Sequence, residues 1–474
     1  MEEMDMMNQS ITYKIAHKNA DTLTPVGIFK RLLGEKKFLL ESSFQHETKG
    51  KYSYIGANPY KEIIGTAQHT RVINLRTNKE ETYDVHTLDY LKSHLPNIKT
   101  DIPLPFTGGA IGYVAYDAIR EFYNIGTPLE DNVQMPDYHF MLYETVIVYE
   151  HRTEKAHIIT MNMDDASEIE LDKRIQRIAK QLDQHIAIPD PEDFPVHFEA
   201  RLSKEDFMEN VEKAKQYIAS GEAAQIVLSQ QMKAEVKGDP FSIYRQLRTA
   251  NPSPYMFYID FCDYLIIGAS PESLVQTSGR QVITNPIAGT RPRGNTTKED
   301  ATLQNDLLAD VKEIQEHDML VDLSKTDLST ICSEDTIHVP VYKDIVKYEH
   351  VMHIVSEVHG QLKVGKTCFD ALIACLPAGT VSGAPKVRAM QIINELEEVK
   401  RGFYAGGIGY IDFNHDMNIA IAIRSILIKD QKAYLQVGAG IVADSVPEKE
   451  YEETLHKAKS LTDIHGRSKA ERTG

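Results

Sequence analysis

The chain has 474 residues, 42% of them hydrophobic and 26% charged, with a formal net charge of −17. That is ordinary globular composition, and such acidity disfavours nonspecific binding to nucleic acid, whose phosphates want a basic footprint. With no long apolar run, no basic-then-apolar leader and no CxxC pair among Cys262, Cys332, Cys368 and Cys375, the expectation is a cytoplasmic protein that does not enter the membrane.

In chain order, "FLLESS" reads as a strand end, "TVIVYE" and "AHIIT" as strands, and Glu168 to His185 as a helix. The clearest seam is "AIPDPEDFPVHFEA", whose three prolines and four acids continue neither a helix nor a central strand. After it, Ser203 stands three residues before Asp206, as in a capping box, and Phe207, Val211, Ala214 and Ile218 follow at helical spacing up to Gly221. Strands are then predicted at "AQIVLSQQMKAEV", "YMFYIDF", "YLIIGAS", "ESLVQT" and "RQVITNPI", with "NPSPYMF" opening as a loop. Two further helices and a last antiparallel set, "GFYAGGIGYIDF", "NIAIAIRSILI" and "KAYLQVGAGIV", complete the reading. Hairpins outnumber βαβ units, so the expected class is α+β, a large sandwich of antiparallel sheets flanked by helices. The expected division is an N-terminal subdomain over residues 1–186, a linker over 187–200, a catalytic domain over 201–462 and a polar tail over 463–474.

Several stretches carry candidate chemistry. "GASPESL" places Glu272 after a proline at a strand end, where a turn aims it into a cleft or leaves it as a plain turn carboxylate. "TNPIAGTRPRG" is an anion-binding loop, a nucleic-acid contact or a rigid turn. Glu313 and Glu316 lie i, i+3 on a helix among apolar Leu307, Val311, Leu320 and Leu323. Glu450, Glu453 and Lys457 repeat that spacing after a Ser445/Glu448 capping box with Pro447 in the first turn. Two facing carboxylate pairs would suit magnesium, which prefers oxygens; singly, each is a solvated charged face. His350 and His353 are also i, i+3, with a helical structural histidine as the plainer reading. In "NIAIAIRSILI", strand alternation puts Arg424 beyond Ala420 and Ala422 on one face, either a carboxylate clamp at a cavity end or a surface ion pair. Gly438-Ala439-Gly440 ends a strand, as a bulge or as backbone that lets a ligand approach.

"PIAGTRPRG", "YEHVMHIVSEVHG", "PAGTVSGAPKVRAMQII", "GFYAGGIGY" and "GAGIVADSVPEKEYEETLHKA" together resemble the chorismate-utilising enzymes, nearest to their anthranilate-forming members. The resemblance runs from "FLLESS" to "EETLHKAKS". It implies a Mg²⁺ site at Glu313, Glu316, Glu450 and Glu453, completed by the ring carboxylate of chorismate. Thr290, Tyr404, Arg424, Gly438, Gly440 and Lys457 would hold the substrate, alongside Ala439. Glu272 would protonate the departing C4 hydroxyl, and His353 would orient it and assist aromatisation. Ammonia would add at C2, and loss of pyruvate would give anthranilate. No cysteine sits in a Gly-x-Cys-x-Gly elbow, so the implied partner is a separate glutamine amidotransferase subunit, or ammonia in solution.

Two positions sort the chain among such relatives. Gln225 stands where the water-adding members carry a lysine base, and Ala288 where aminodeoxychorismate synthases carry a nucleophilic lysine. Both point to anthranilate. Leu40, Glu41 and Ser42, with Asn251, Pro252, Ser253, Tyr255 and Met256, resemble a tryptophan feedback pocket, in which Glu41 would take the ligand's ammonium. One departure is "LSKTDLST" in place of "LGRNDLGR", which puts Lys325 and Thr326 where arginine and asparagine are usual. The competing readings are an aminodeoxychorismate synthase, a catalytically inactive tryptophan sensor, and a phosphate- or nucleic-acid-binding module. The last is weakest, given the charge and the lack of a P-loop.

Overall fold

A computed structural model of the chain describes residues 13–42, 50–66, 68–191, 196–348 and 351–462. The tail over 463–474 and His350 lie outside the described residues. Two sheets of twelve strands each make up the frame, with antiparallel ladders; in each, eleven strands form one path and a twelfth lies off it, Gly383–Ala384 against Gln225–Glu235 in the first and His338–Lys347 against Val351–Gln361 in the second. The first sheet runs Tyr13–Asn19, Lys155–Met161, Thr145–Glu150, Tyr52–Gly56, Phe38–Glu41, then Tyr255–Asp260, Tyr264–Ser270, Ser425–Lys429, Lys432–Ile441, Gln225–Glu235 and Glu199–Ala200. The second runs Ile287–Pro292, Val351–Gln361, Gln281–Thr284, Ser273–Ser278, Met417–Ile421, Gly407–Asp412, then Gly109–Val114, Tyr138–Tyr143, Lys61–Gly65, Thr70–Asn74 and Lys79–Tyr83. Residues before the 187–200 seam thus supply one end of each sheet and residues after it the other. They meet along Phe38–Glu41 against Tyr255–Asp260 and along Gly109–Val114 against Gly407–Asp412.

Alternation in the first sheet fills two cores at once. Phe38, Phe257 and Ile266 join the largest core, which includes Tyr113, Phe140, Val275 and Ile419 of the second sheet. Their neighbours Leu39, Met256 and Ile267 pack the other way, with Phe29, Ile175, Tyr244 and Leu461 from four covering helices. The predicted helix after the seam forms as Lys204–Ala219: Ser203 accepts the Asp206 N–H at 3.0 Å, Phe207, Val211 and Ala214 are buried, and Gly221 ends it at φ +82°.

The structure departs from the sequence reading in four places. Between Pro292 and Gly407 there are four α-helices among the described residues, Thr297–Ala309, Val311–Ile331, Cys368–Cys375 and Lys386–Leu396, where two helices were expected. Asp310 separates the first two by accepting the Lys312 and Glu313 N–H groups, which leaves Val311 69% exposed instead of packed. His353 lies in the Val351–Gln361 strand, not on a helix, because the segment pairs with both Ile287–Pro292 and His338–Lys347. "NIAIAIRSILI" is two strands: Met417–Ile421 ends in the second sheet, Arg424 takes φ +50°, and Ser425–Lys429 continues in the first. Its alternation therefore stops at Ile421, and Arg424 sits at a crossing between sheets instead of on a strand face.

Candidate active site

Glu272 lies at a second crossing, between Tyr264–Ser270 of the first sheet and Ser273–Ser278 of the second. The two crossings are tied together: Ile421 N–H donates to the Glu272 carbonyl (3.0 Å), Ser270 Oγ to the Ile421 carbonyl (2.8 Å) and Ala269 N–H to the Arg424 carbonyl (3.0 Å). An acid and a cation are thus fixed by backbone at one place. Glu272 is buried, and burial pushes its carboxyl to about 8, against the opposing pull of the Thr380 hydroxyl (3.0 Å from Oε1) and the charge of Lys457. It is protonated at neutral pH and able to give up that proton.

His353 Nδ1 is 3.0 Å from the Gly289 carbonyl and 3.0 Å from Thr290 Oγ1. Burial lowers its pKa, with Gly289 opposing and Arg424 reinforcing. The ring is neutral; with Nδ1–H donated to the carbonyl, Nε2 is left as the basic nitrogen. Gly289 takes φ +74°, a conformation that suits glycine, and a Cβ there would stand 3.1 Å from Ile354 and Leu307.

Arg424 Nη1 donates to Ser460 Oγ at 3.0 Å, and burial disfavours its charge. No carboxylate pairs with it among the described residues. A desolvated guanidinium of this kind is prepared for a ligand carboxylate. Lys457 Nζ bridges Glu453 (2.7 Å) and the Gly438 carbonyl (2.8 Å). Gly438 and Gly440 make room: a Cβ on the first would stand 2.8 Å from the Tyr404 hydroxyl, and on the second 2.6 Å from Gln225 Nε2. Ala439 alternates away into a separate core and offers the site only backbone.

The two glutamate pairs do not form one cluster. Among the described residues no three His, Cys, Asp or Glu side chains stand close enough to hold a metal ion. Each carboxylate is met separately: Glu313 by Arg291 (3.6 Å), Glu316 by Gln225 Nε2 (3.1 Å) and Glu453 by Lys457. Glu450 is hydrogen-bonded by Ser445, whose Oγ also accepts the Val442 N–H; the expected capping partner Glu448 turns to Lys204 instead. The donor chemistry nonetheless fits a hard dication. Burial and then Glu316 raise the Glu313 carboxyl, and burial and Glu453 raise that of Glu450, so added positive charge would relieve both pairs.

Sequence reasoning missed the support beneath these groups. Thr380 stood in the quoted motif "PAGTVSGAPKVRAMQII" without a role. Arg401 and Glu397 form a buried pair, 1% and 7% exposed at the side chain, with Arg401 also donating to the Val381 and Val227 carbonyls at 2.7 Å each. Its guanidinium lies 5.7 Å from the Tyr404 ring centre. The altered segment is benign locally: Lys325 pairs with Asp322 on an exposed face, while Asp327 keeps a 2.6 Å bond to Lys386.

A cavity of about 610 Å³ is lined by Leu40, Glu41, Ser42, Tyr255 and Met256. Asn251, Pro252 and Ser253 are not part of its lining, and Asn251 bonds instead to the Ser460 carbonyl. The expected ammonium partner, Glu41, already has partners of its own. Glu41 Oε2 accepts from Tyr244 (2.5 Å) and Arg248 (2.9 Å) on the helix side of the sheet, and Oε1 is buried without a partner.

Residues 35–463 match the model of the chorismate binding enzyme family. The chain belongs to the chorismate binding enzymes. Within that family it is 45% identical over 458 residues to anthranilate synthase component 1 of Acetivibrio thermocellus, covering 93% of this chain and 92% of the relative. It is 44% identical over 457 residues to the protein of that name from Lactococcus lactis, covering 95% and 99%. Among solved structures, anthranilate synthase component I of Streptococcus pneumoniae superposes with a TM-score of 0.81 at 41% identity, over 94% of this chain and 98% of that one. The menaquinone-specific isochorismate synthase of Escherichia coli shares the fold, with a TM-score of 0.73 at 18% identity over 98% of each chain.

Proposed function

We propose that this chorismate binding enzyme converts chorismate to anthranilate, with ammonia as the nitrogen donor. The observation that carries the reading is end-to-end similarity to relatives named anthranilate synthase component 1. The site chemistry agrees with it. Gln225 presents an amide, not a lysine, to Glu316, so it offers no base to activate water; Ala288 offers no amine for covalent attack.

Arg424, Lys457 and the backbone at Gly438 and Gly440 would hold the substrate's carboxylates, with Thr290 and Tyr404 at its polar groups. Ammonia attacks C2, the ring double bond shifts, and the C4 hydroxyl leaves as water with the proton of Glu272. His353 Nε2 would take the C2 proton as the ring's bond to the enolpyruvyl oxygen breaks, leaving the aromatic ring, and the departing enolate takes up a proton to become pyruvate. Magnesium, for which Glu313, Glu316, Glu450 and Glu453 would be the oxygen donors, would supply charge neutralisation at the ring carboxylate. The 610 Å³ cavity is the proposed tryptophan site, with Ser42, Tyr255 and Met256 in its wall. A separate amidotransferase subunit would complete the supply of ammonia.

The test is product identification. With chorismate, Mg²⁺ and ammonium at alkaline pH, anthranilate is expected; isochorismate, aminodeoxychorismate or no product defeats the reading.

A further inference from the structure

The 610 Å³ cavity and the pocket beneath Glu272 share a wall. Tyr255, in the first sheet, and Gln276, in the second, both line the cavity. Gln276 Nε2 donates to the Tyr255 hydroxyl at 2.8 Å and lies 3.4 Å from Ser273 Oγ. Ser273 directly follows Glu272, is buried, and lines a small pocket that also contains Glu272 and Thr380. Opposite Ser273 in the ladder stands Ala420, itself part of the cavity wall and the neighbour of Ile421, whose N–H holds the Glu272 carbonyl. Asn285 lines both spaces, is 4% exposed, and has its Oδ1 without a partner. A buried orphan acceptor marks a wall that a small rearrangement can better satisfy.

We propose that Gln276 is a positioning residue through which filling of the cavity reaches the general acid. Its amide is the bridge from Tyr255 to Ser273, and it crosses from one sheet to the other where the chain does. A ligand seated against Tyr255 and Gln276 has to displace or tighten that bridge. The shift arrives at Ser273, one peptide from Glu272, and alters how the carboxyl meets Thr380 and the leaving hydroxyl. A contact whose geometry both sites bias is what a coupling free energy requires. The inference rests on the cavity being the tryptophan site.

The test uses Gln276→Met, which keeps length and loses the amide, and Ser273→Ala, which cuts the other end of the bridge. The chain contains no tryptophan, so the ligand's own fluorescence reports binding directly, alongside inhibition of ammonia-dependent anthranilate formation. Ser273→Ala should bind tryptophan within about twofold of the unaltered protein, yet at saturating tryptophan both variants should keep at least about tenfold more activity than the unaltered protein does, the size of a typical coupling. Tryptophan should shift the alkaline limb of the pH–rate profile in the unaltered protein and not in the variants, a change that a merely structural role for Gln276 would not produce. Inhibition that weakens only in step with binding, or that is unchanged in both variants, overturns the role of Gln276 and leaves the cavity reading intact. An unaltered protein that neither binds tryptophan nor is inhibited by it overturns the cavity reading, and this proposal with it.

Discussion

Thr380→Val removes one hydroxyl from beside Glu272 and little else. The Thr380 hydroxyl donates to Glu272 Oε1 at 3.0 Å and pulls the carboxyl down from where burial alone would set it, so that it lies at about 8. A hydrogen bond to the charged form favours that form, so its loss raises the pKa. A bond from a hydroxyl to a carboxylate is worth about 1.5 kcal/mol, and 1.36 kcal/mol is one pKa unit, so the carboxyl should rise by about one unit, to roughly 9. Glu272 acts as an acid. Its contribution is present below its pKa and lost as pH rises through it, so the alkaline limb of activity should move upward by that amount, with little change at neutral pH. The assay is kcat/KM for chorismate between about pH 6 and 10, with free NH3 held constant, because ammonia's own ionisation would otherwise mask the limb. A limb that stays in place or moves down refutes the assignment of Glu272 as the acid. A uniform loss at every pH would show that Thr380 matters for placement, not for proton affinity.

Glu397→Gln leaves the buried Arg401 charge without its counter-ion, which should cost about 3–5 kcal/mol. With an unfolding entropy of about 2.1 cal/mol/K per residue, that is a fall in Tm of roughly 3–5 °C by calorimetry, and a fall under about 1 °C contradicts the pairing. Gly289→Ala forces a side chain into the left-handed region and toward Ile354 and Leu307, at a cost of about 1–2 kcal/mol. Thermal melts should show that loss, with reduced activity because the His353 anchor is the Gly289 carbonyl. Glu450→Gln should raise the Mg²⁺ concentration needed for half-maximal activity by at least about tenfold, or abolish turnover. Fluorescence-detected tryptophan binding should stay unchanged, and a normal Mg²⁺ dependence removes Glu450 from the metal site.

The sandwich was legible because its strands obey alternation and its turns carry proline and glycine where the backbone requires them. Ser203, Phe207 and Gly221 announced their helix by cap, stripe and stop, and local signals of that kind survive in any tertiary setting. Two readings failed where tertiary pairing overrode spacing. His353 follows His350 at helical spacing, yet a strand with partners on both sides claimed His353. "NIAIAIRSILI" is unbroken in hydropathy but spans two sheets, and nothing in its periodicity marks Arg424 as the corner. At the site, single residues with strong chemistry stood out: Glu272, Arg424 and Lys457. Their supports did not, because Thr380 gains meaning only from a contact 108 positions away, Gln276 from one 21 positions away between the two sheets, and the Glu397–Arg401 pair from burial. Glu41 shows the limit in the other direction. Its residue type suits an ammonium, but odd–even placement on its strand sends the carboxylate to Tyr244 and Arg248.

The way the two halves of the chain share both sheets bears on what cutting it would do. A single proteolytic nick within the 187–200 segment would not liberate a free-standing module. Each fragment would carry an incomplete end of both sheets, and separating them would strip the edges of Phe38–Glu41, Tyr255–Asp260, Gly109–Val114 and Gly407–Asp412 together. Exposed edges of that kind favour re-pairing with their own complement. The nicked protein should therefore persist as a non-covalent pair, and the halves made as separate polypeptides should find one another or aggregate.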